Sequence, residues 1–187
     1  MRLSLVALSV VLLPLLEAQE MPIHTARSTI TNTCRQSGPA FGRGSRALGE
    51  RTIASGTFQE SGAPHVEFKV ESAKMAERPD PKVDAKTQAT IQKDMEEMTL
   101  QTKQYPKISF QSSRVEPSGA DQWKVQGNLS LHGVTKPVSV AVKRSGSVYT
   151  GHTVLKQTDF GIKPISIGGG MVKIKNEIEI DFQIYPQ

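Results

Sequence analysis

The stretch that decides the fold is LSLHGVTKPVSVAV, residues 129–142. Two runs in which apolar and polar residues alternate flank the short insert HGVTKP. Alternation with a period of two is the pattern of a β-strand with one buried face, and a glycine between two such runs indicates a hairpin. Gly133 permits a positive φ in the turn, and Pro137 has no N–H and therefore suits the start of a strand. The stretch predicts two antiparallel strands rather than a catalytic loop around His132.

The same alternation recurs along the chain. Lys, Glu, Gln, Ser and Asp occupy the positions between the apolar residues, which predicts strands with one wet face and one apolar face, as in an antiparallel sheet. The runs are HVEFKV at 65–70, KISF at 107–110, WKVQGNLSL at 123–131, VSVAV at 138–142, VYTGHTVL at 148–155 and MVKIKNEIEIDFQI at 171–184, with weaker candidates RSTITN at 27–32 and TIASGTF at 52–58. Roughly eight strands of this kind predict an all-β fold, and closing the sheet into a barrel removes its exposed edges.

One segment, residues 82–104, has helical rather than strand periodicity. Ile91, Met95 and Met98 are spaced four and three residues apart, which indicates one apolar face of a helix. Asp84 is placed to cap the start of this helix. We expect a short helical insert that forms a lid or plug on the barrel.

The N-terminal residues differ from the rest of the chain. Arg2 precedes an apolar run at residues 3–16, and Ala18 is a small residue at which cleavage would follow. The run is shorter than the ~20 apolar residues of a membrane-spanning helix, which favours a secretory signal peptide over an N-terminal membrane anchor. We expect residues 1–18 to be this signal peptide and residues 19–187 to be one periplasmic or secreted domain, with no integral membrane segment after signal removal.

Charge and cysteine content narrow the class of protein further. The net charge is +5, but Lys and Arg are spread along the chain and aromatic residues make up only 5% of it. Nucleic-acid binding would instead need clustered basic residues with interleaved aromatics, so we expect no nucleic-acid partner. Cys34 is the single cysteine, so no internal disulfide can form and the domain relies on its core.

The sequence lacks motifs for metal or catalytic chemistry. The four histidines have no metal-ligand spacing, there is no G-x-S-x-G elbow, and SIGGG at 166–170 lacks the Lys-Ser/Thr of a phosphate loop, which makes it a turn. We therefore predict a protein that is not an enzyme and has no cofactor and no metal site. Two alternatives stay open: a lipid hydrolase or isomerase that uses His132, His152 and Asp159 inside the barrel, and a structural or stress-response protein with a filled barrel.

Three stretches, in this order along the chain, resemble a known family. They are YPKISFQS at 105–112, VQGNLSLHGVTKPVSVAV at 125–142 and LKQTDFGI at 155–162. The set is similar to the motifs of the YceI-like family of exported lipid-binding proteins, and the resemblance covers roughly residues 56–184. It implies an eight-stranded antiparallel, lipocalin-like barrel around an apolar tunnel that holds a polyisoprenoid chain.

This resemblance implies a protein that sequesters or carries a long apolar lipid, either a polyisoprenoid or an isoprenoid quinone. Ligand pockets of this kind are mostly apolar, although periodicity by itself does not separate a hollow barrel from a filled one. A homodimer is one oligomeric state to test. The candidate ligand-binding residues lie on the apolar faces of the predicted strands and in the third motif: Phe68, Ile108, Phe110, Leu129, Leu131, Val138, Val140, Phe160 and Phe182.

Residues 33–51, TCRQSGPAFGRGSRALGER, are atypical. They show no strand alternation and are rich in Arg and Gly, although the first strands of the barrel are expected there. Relatives that share the helical insert tend to have a string such as SGLLSAAGHEHWVSAPIASGTF, and a one-base shift of the possible codons for this segment allows such a string. We hypothesise that residues 34–51 come from a paired frameshift in the gene or its sequencing, which would leave Cys34 without functional meaning.

Overall fold

The computed structural model describes residues 19–37, 44–76, 84–167 and 172–187. The signal peptide predicted at residues 1–18 and the glycines of SIGGG lie outside the described residues. Helix α1 (Ala85–Asp94) lies between the fifth and sixth strands. The strands are β1 (Met21–Pro22), β2 (Thr29–Ser37), β3 (Gly44–Thr52), β4 (Ser55–Gln59), β5 (His65–Glu71), β6 (Lys107–Gly119), β7 (Gln122–Leu131), β8 (Val134–Ser145), β9 (Val148–Lys156), β10 (Ser166–Ile167) and β11 (Val172–Ile184).

The strands form one antiparallel sheet in the order β1-β4-β5-β6-β7-β8-β9-β11-β2-β3, with β10 paired to β11. Only Ile53 and Ala54 separate β3, at one end of this order, from β4 near the other end. The Ile53 N–H donates to the Ser28 carbonyl at 3.1 Å, and the Ala54 N–H donates to the Lys69 carbonyl at 2.9 Å. Pairing therefore continues on both sides of the bend, and β3 and β4 close the sheet into a barrel as one bent strand.

The predicted fold class, an all-β antiparallel barrel with a short helical insert, is confirmed. The described strands number 11 rather than eight, because β1 and β10 are two-residue strands and the bend divides β3 from β4. When β3 and β4 are taken as one strand and the two shortest strands are set aside, eight long strands form the wall of the barrel.

The opening stretch forms the β7–β8 hairpin. Leu131 pairs with Val134 across a turn in which His132 has φ 52° and Gly133 has φ 75°, and two positive φ values are the pattern of a type I′ turn. The prediction that Pro137 starts β8 is wrong. Pro137 lies inside the strand, opposite Asn128. It is tolerated there because β9 pairs with β8 only at residues 141–145, so β8 has no ladder with β9 at Pro137.

The helical insert covers one end of the barrel, and only a few of its side chains contact the core. The Asp84 side chain accepts the Thr87 N–H at 3.0 Å, which confirms the predicted cap. Helix α1 itself has no buried residue, and a π-helical turn, Met95–Thr99, follows it. Met95 is buried, but Met98 is 62% exposed, so the predicted stripe is wrong at Met98. The wider π turn rotates the later side chains out of the helical phase, and Leu100 contacts the core instead.

The interior of the barrel is filled at the end near this insert. A cluster there joins strands from both halves of the chain: Cys34, Leu131, Leu155, Phe160, Ile162, Ile174 and Ile178. Cys34 is 2% exposed, and burial raises the pKa of its thiol to about 12. The described part of residues 33–51 thus lies in β2 and β3 and supplies a core side chain. Its origin in a frameshift stays a prediction, which resequencing of the gene tests.

Candidate ligand-binding cavity

An apolar cavity of about 120 Å³ lies inside the barrel, beside the filled end. Inward-facing side chains of the long strands make most of its wall, and a few polar groups border it. The apolar wall consists of Ile30, Phe58, Pro64, Val66, Phe68, Phe110, Val115, Trp123, Val125, Leu129, Val138, Val140, Val142, Leu155, Ile180, Phe182 and Ile184. The more polar members are Gln59, Glu60, His65, Tyr149 and Thr153. The barrel is therefore part hollow and part filled.

Most of the residues proposed from sequence as ligand contacts lie together in this wall. They are Phe68, Phe110, Leu129, Val138, Val140 and Phe182. Leu131 and Phe160 lie instead in the filled cluster, 7% and 2% exposed, and Ile108 contacts that cluster. These three residues lie outside the cavity wall because the core occupies the barrel at their depth. Ligand contact by any of the nine residues stays a prediction.

Two glycines let phenylalanine rings lie close to the inner wall. A Cβ on Gly127 would be 2.5 Å from Cζ of Phe110, and a Cβ on Gly151 would overlap the ring of Phe182. Each ring therefore covers a glycine of the neighbouring strand, an arrangement known from other sheets as aromatic rescue. A side chain at either glycine would force the ring inward, so these glycines preserve the volume of the cavity.

The mouth of the cavity lies where the β4–β5, β6–β7 and β8–β9 turns meet, and a polar network joins those turns. Glu60 accepts hydrogen bonds from Nη1 of Arg144 at 2.9 and 3.1 Å and from the hydroxyl of Tyr149. Nε of Arg144 donates to Asp121 at 2.9 Å, and its guanidinium lies 5.7 Å from the centroid of the Trp123 ring. Glu60, Trp123 and Tyr149 also line the cavity, so the network forms part of its rim.

The protonation states at the mouth follow from these contacts. Burial, together with the hydrogen bond to Glu60, raises the pKa of Tyr149 to about 12, so its hydroxyl keeps its proton and donates. The hydrogen bonds of Arg144 to Asp121 and Tyr149, and its attraction to Glu60, raise the pKa of the guanidinium above its ordinary value. Arg144 is therefore a fixed cation between two carboxylates.

A second carboxylate contact lies beside His65. The Thr57 hydroxyl donates to Oε1 of Glu20 at 2.6 Å, and Nε2 of His65 lies 3.4 Å from the same oxygen. The hydrogen bonds from Thr57 and then His65 lower the pKa of Glu20. The polar rim of the cavity therefore has a carboxylate at each of two places: Glu60 beside Arg144 and Tyr149, and Glu20 beside His65.

Sequence reasoning did not select the polar rim. Glu60 lies in the β4–β5 turn, where no periodicity marks it, and its partners come from β8 and β9. Tyr149 could have been found, because it alternates with Thr153 and Leu155 on one face of β9 and all three line the cavity. Trp123 likewise alternates with Val125 at the start of β7.

The three residues suggested for an enzyme do not form one site. His152 lies on the outer face of β9, with Nδ1 2.9 Å from a carboxylate oxygen of Asp181. His132 lies in the β7–β8 turn, with Nδ1 3.2 Å from the Phe160 carbonyl, and Asp159 is exposed. Within the described ranges, no three His, Cys, Asp or Glu side chains converge in a way that could hold a metal ion. Among those residues, none of the helices has the length and apolar character needed to cross a membrane.

A closed antiparallel barrel with an apolar cavity places the chain among the small all-β barrels. The family model described as YceI-like domain matches residues 22–185, so the chain belongs to the YceI-like family. The resemblance inferred from the three motifs is thereby confirmed. The chain is 38% identical over 74 residues to a UPF0312 protein of Azotobacter vinelandii, covering 34% of this chain and 38% of that protein.

Further relatives agree with this assignment. A UPF0312 protein of Shewanella oneidensis is 32% identical over 95 residues, covering 46% of this chain and 47% of that protein. The chain thus spans less than half the length of these curated relatives. Among solved structures, a polyisoprenoid binding domain from Saccharophagus degradans, implicated in plant cell wall breakdown, has a TM-score of 0.57 at 14% identity, covering 91% of this chain and 99% of that one. BcnA of Burkholderia cenocepacia has a TM-score of 0.55 at 17% identity, covering 87% and 98%. At these identities the likeness shows the fold alone.

Proposed function

We propose that this protein is an exported carrier that binds an apolar lipid, of the polyisoprenoid or isoprenoid-quinone type, in the barrel cavity. The observation that carries the proposal is the wall of the cavity, which is apolar except for the polar residues at its rim and for Thr153. The fold similarity to the polyisoprenoid binding domain from Saccharophagus degradans supports the same ligand class. Export is supported by the N-terminal pattern of residues 1–18.

The mechanism is burial without covalent chemistry. Each Å² of apolar ligand surface that leaves water contributes roughly 25 cal/mol, and a preformed cavity avoids the entropy cost of ordering a flexible site. The polar rim keeps charged groups out of the apolar interior and in contact with solvent. The enzyme alternative has no convergent set of candidate residues to support it.

The volume of the cavity limits how much of a ligand it holds in this conformation. A cavity of about 120 Å³ is slightly smaller than the engineered cavity of roughly 150 Å³ that holds benzene in another protein. This space accommodates the end of an isoprenoid chain. A longer chain enters only if rings at the inner boundary, such as the stacked pair Phe68 and Phe110 with centroids 5.5 Å apart, move aside.

Native mass spectrometry after mild purification tests the proposal, both for co-purified lipid and after addition of polyprenols. Val138→Phe fills the cavity and is expected to abolish binding, while Ser139→Phe, on the exposed face of the same strand, leaves it unchanged. A wild-type protein that carries no lipid and takes up none of the added polyprenols would contradict the proposal. Fractionation of cells tests export, and light scattering of the purified protein tests the homodimer.

A further inference from the structure

We propose that the mouth of the cavity selects a lipid whose polar end is uncharged and carries a hydroxyl, such as an isoprenoid alcohol or phenol, over a lipid that ends in a phosphate or carboxylate. The inference rests on the proposed function, because the apolar part of the same ligand has to occupy the cavity.

The charges around the mouth are the first argument. Three carboxylates, Glu60, Asp121 and Glu20, stand there against Arg144 and His65, so the rim is negative although the chain has a net charge of +5. A cation that recognises a phosphate has to be free to form hydrogen bonds with it. Arg144 instead donates from Nη1 to Glu60 and from Nε and Nη2 to Asp121.

The lysines of the neighbouring strands do not change this balance. Lys124 lies between the wall residues Trp123 and Val125 of β7, Lys143 directly follows the wall residue Val142 of β8, and both lysines are exposed. Side chains at alternate positions of a strand point to opposite faces, so these two lysines lie on the outside of the barrel. An anionic group that leaves the cavity beside Glu60 would therefore meet a carboxylate before it met an unpaired cation of these strands.

The hydrogen-bonding capacity of Glu60 is the second argument. A carboxylate accepts at about four positions on its two oxygens. Among the residues that the structure describes, Oε1 accepts from Arg144 and Tyr149, and Oε2 accepts from Arg144 alone at 3.1 Å. Because Glu60 lines the cavity, its remaining capacity faces the polar end of a ligand. A hydroxyl donates to that oxygen, whereas an ether or an ionised phosphate has no proton to donate.

Fluorescence of Trp123 provides a direct measurement, since it is the one tryptophan of the chain and it lines the cavity. The protein is titrated with farnesol, farnesyl methyl ether and farnesyl diphosphate, which share one apolar chain. We expect farnesol to bind on the order of tenfold more tightly than either of the others, the size of one hydrogen bond to a charged group.

Two variants test whether the charge of Glu60, rather than the shape of its side chain, causes the preference for farnesol. Glu60→Gln removes the charge but keeps an acceptor, and we expect it to reduce the preference for farnesol over the diphosphate severalfold. Glu116→Gln is the matched control, because Glu116 pairs with Arg114 at 2.9 Å away from the cavity wall, and the preference should not change. Circular dichroism establishes that each variant is folded, and the three-ligand comparison on the wild type stands independently of the variants.

The outcomes distinguish the two proposals. If none of the three farnesyl compounds binds, the proposed function fails. If all three bind with equal affinity, or if the diphosphate binds most tightly, lipid binding stands and the selection of a neutral hydroxyl end is overturned. If the ether binds as well as farnesol while the diphosphate does not, hydroxyl recognition is overturned and only the exclusion of charge survives.

Discussion

Phe182 lies directly across from Gly151 in the ladder between β11 and β9, and its ring covers the position where a Cβ of residue 151 would be. Phe182 lines the cavity, and its ring remains at the wall because residue 151 has no side chain. A glycine in a strand interior normally costs stability. Here the covering ring compensates for the missing side chain and keeps the cavity open.

Gly151→Ala is expected to push the Phe182 ring into the cavity. Overpacking of this kind costs about 1–3 kcal/mol of unfolding free energy, and binding of farnesol should weaken because the cavity loses volume. Urea unfolding and Trp123 fluorescence measure the two effects. Adding Phe182→Leu removes the ring that clashes, so the double variant should recover stability relative to Gly151→Ala. A Gly151→Ala protein with wild-type stability and binding would show that the ring moves freely.

Phe110→Ala is expected to extend the cavity toward the filled end. The ring of Phe110 stacks on Phe68 at the inner boundary, and its removal should favour a C20 prenol over farnesol relative to wild type. The substitution should also destabilise the fold by about 3–5 kcal/mol. Phe160→Ala is the control, because Phe160 is also buried but lies in the filled cluster. An identical change of chain-length preference in both variants would argue against Phe110 as the boundary.

Stability should fall in alkali because of Cys34. Burial raises the thiol pKa from 9.0 to about 12, so the folded state retains the proton that the unfolded chain loses. The stabilisation is complete below pH 9.0 and is lost as the pH rises toward about 12. Between about pH 8 and about pH 10.5, the wild type should lose about 2 kcal/mol more unfolding free energy than Cys34→Ala. Equal losses in the two proteins, measured by urea unfolding, would mean that the thiol is not held protonated.

The two methionines after helix α1 should respond very differently to truncation. Met95 is 8% exposed, and Met95→Ala should destabilise the protein by about 2–5 kcal/mol. Met98 is 62% exposed, and Met98→Ala should stay within about 0.5 kcal/mol of wild type. Thermal unfolding monitored by circular dichroism measures both. Comparable losses of stability in the two variants would mean that Met95 and Met98 lie on one buried helical face, which would contradict the π turn.

The hairpin at residues 129–142 shows how far local patterns reach. The alternation and the turn residues His132 and Gly133 act within one pair of adjacent strands, so both the pairing and the positive φ of Gly133 follow from the sequence. The placement of Pro137 did not, because it depends on where β9, a different strand, stops pairing with β8. Glu60 is a similar case, since its role comes from Arg144 and Tyr149, which are far from it in the chain.

The sequence by itself determined the class of fold and the face to which most strand residues point, because both follow from a period of two that is visible in each strand. It did not determine how deep each inward residue lies. Phe110 and Leu129 pair across β6 and β7 and line the cavity, whereas Ile108 and Leu131, two positions further on the same faces, pack in the filled end. Depth along the barrel is set by the stagger of strands that are distant in sequence and by the insert that closes one end. Only the tertiary structure therefore decided which part of the barrel is hollow.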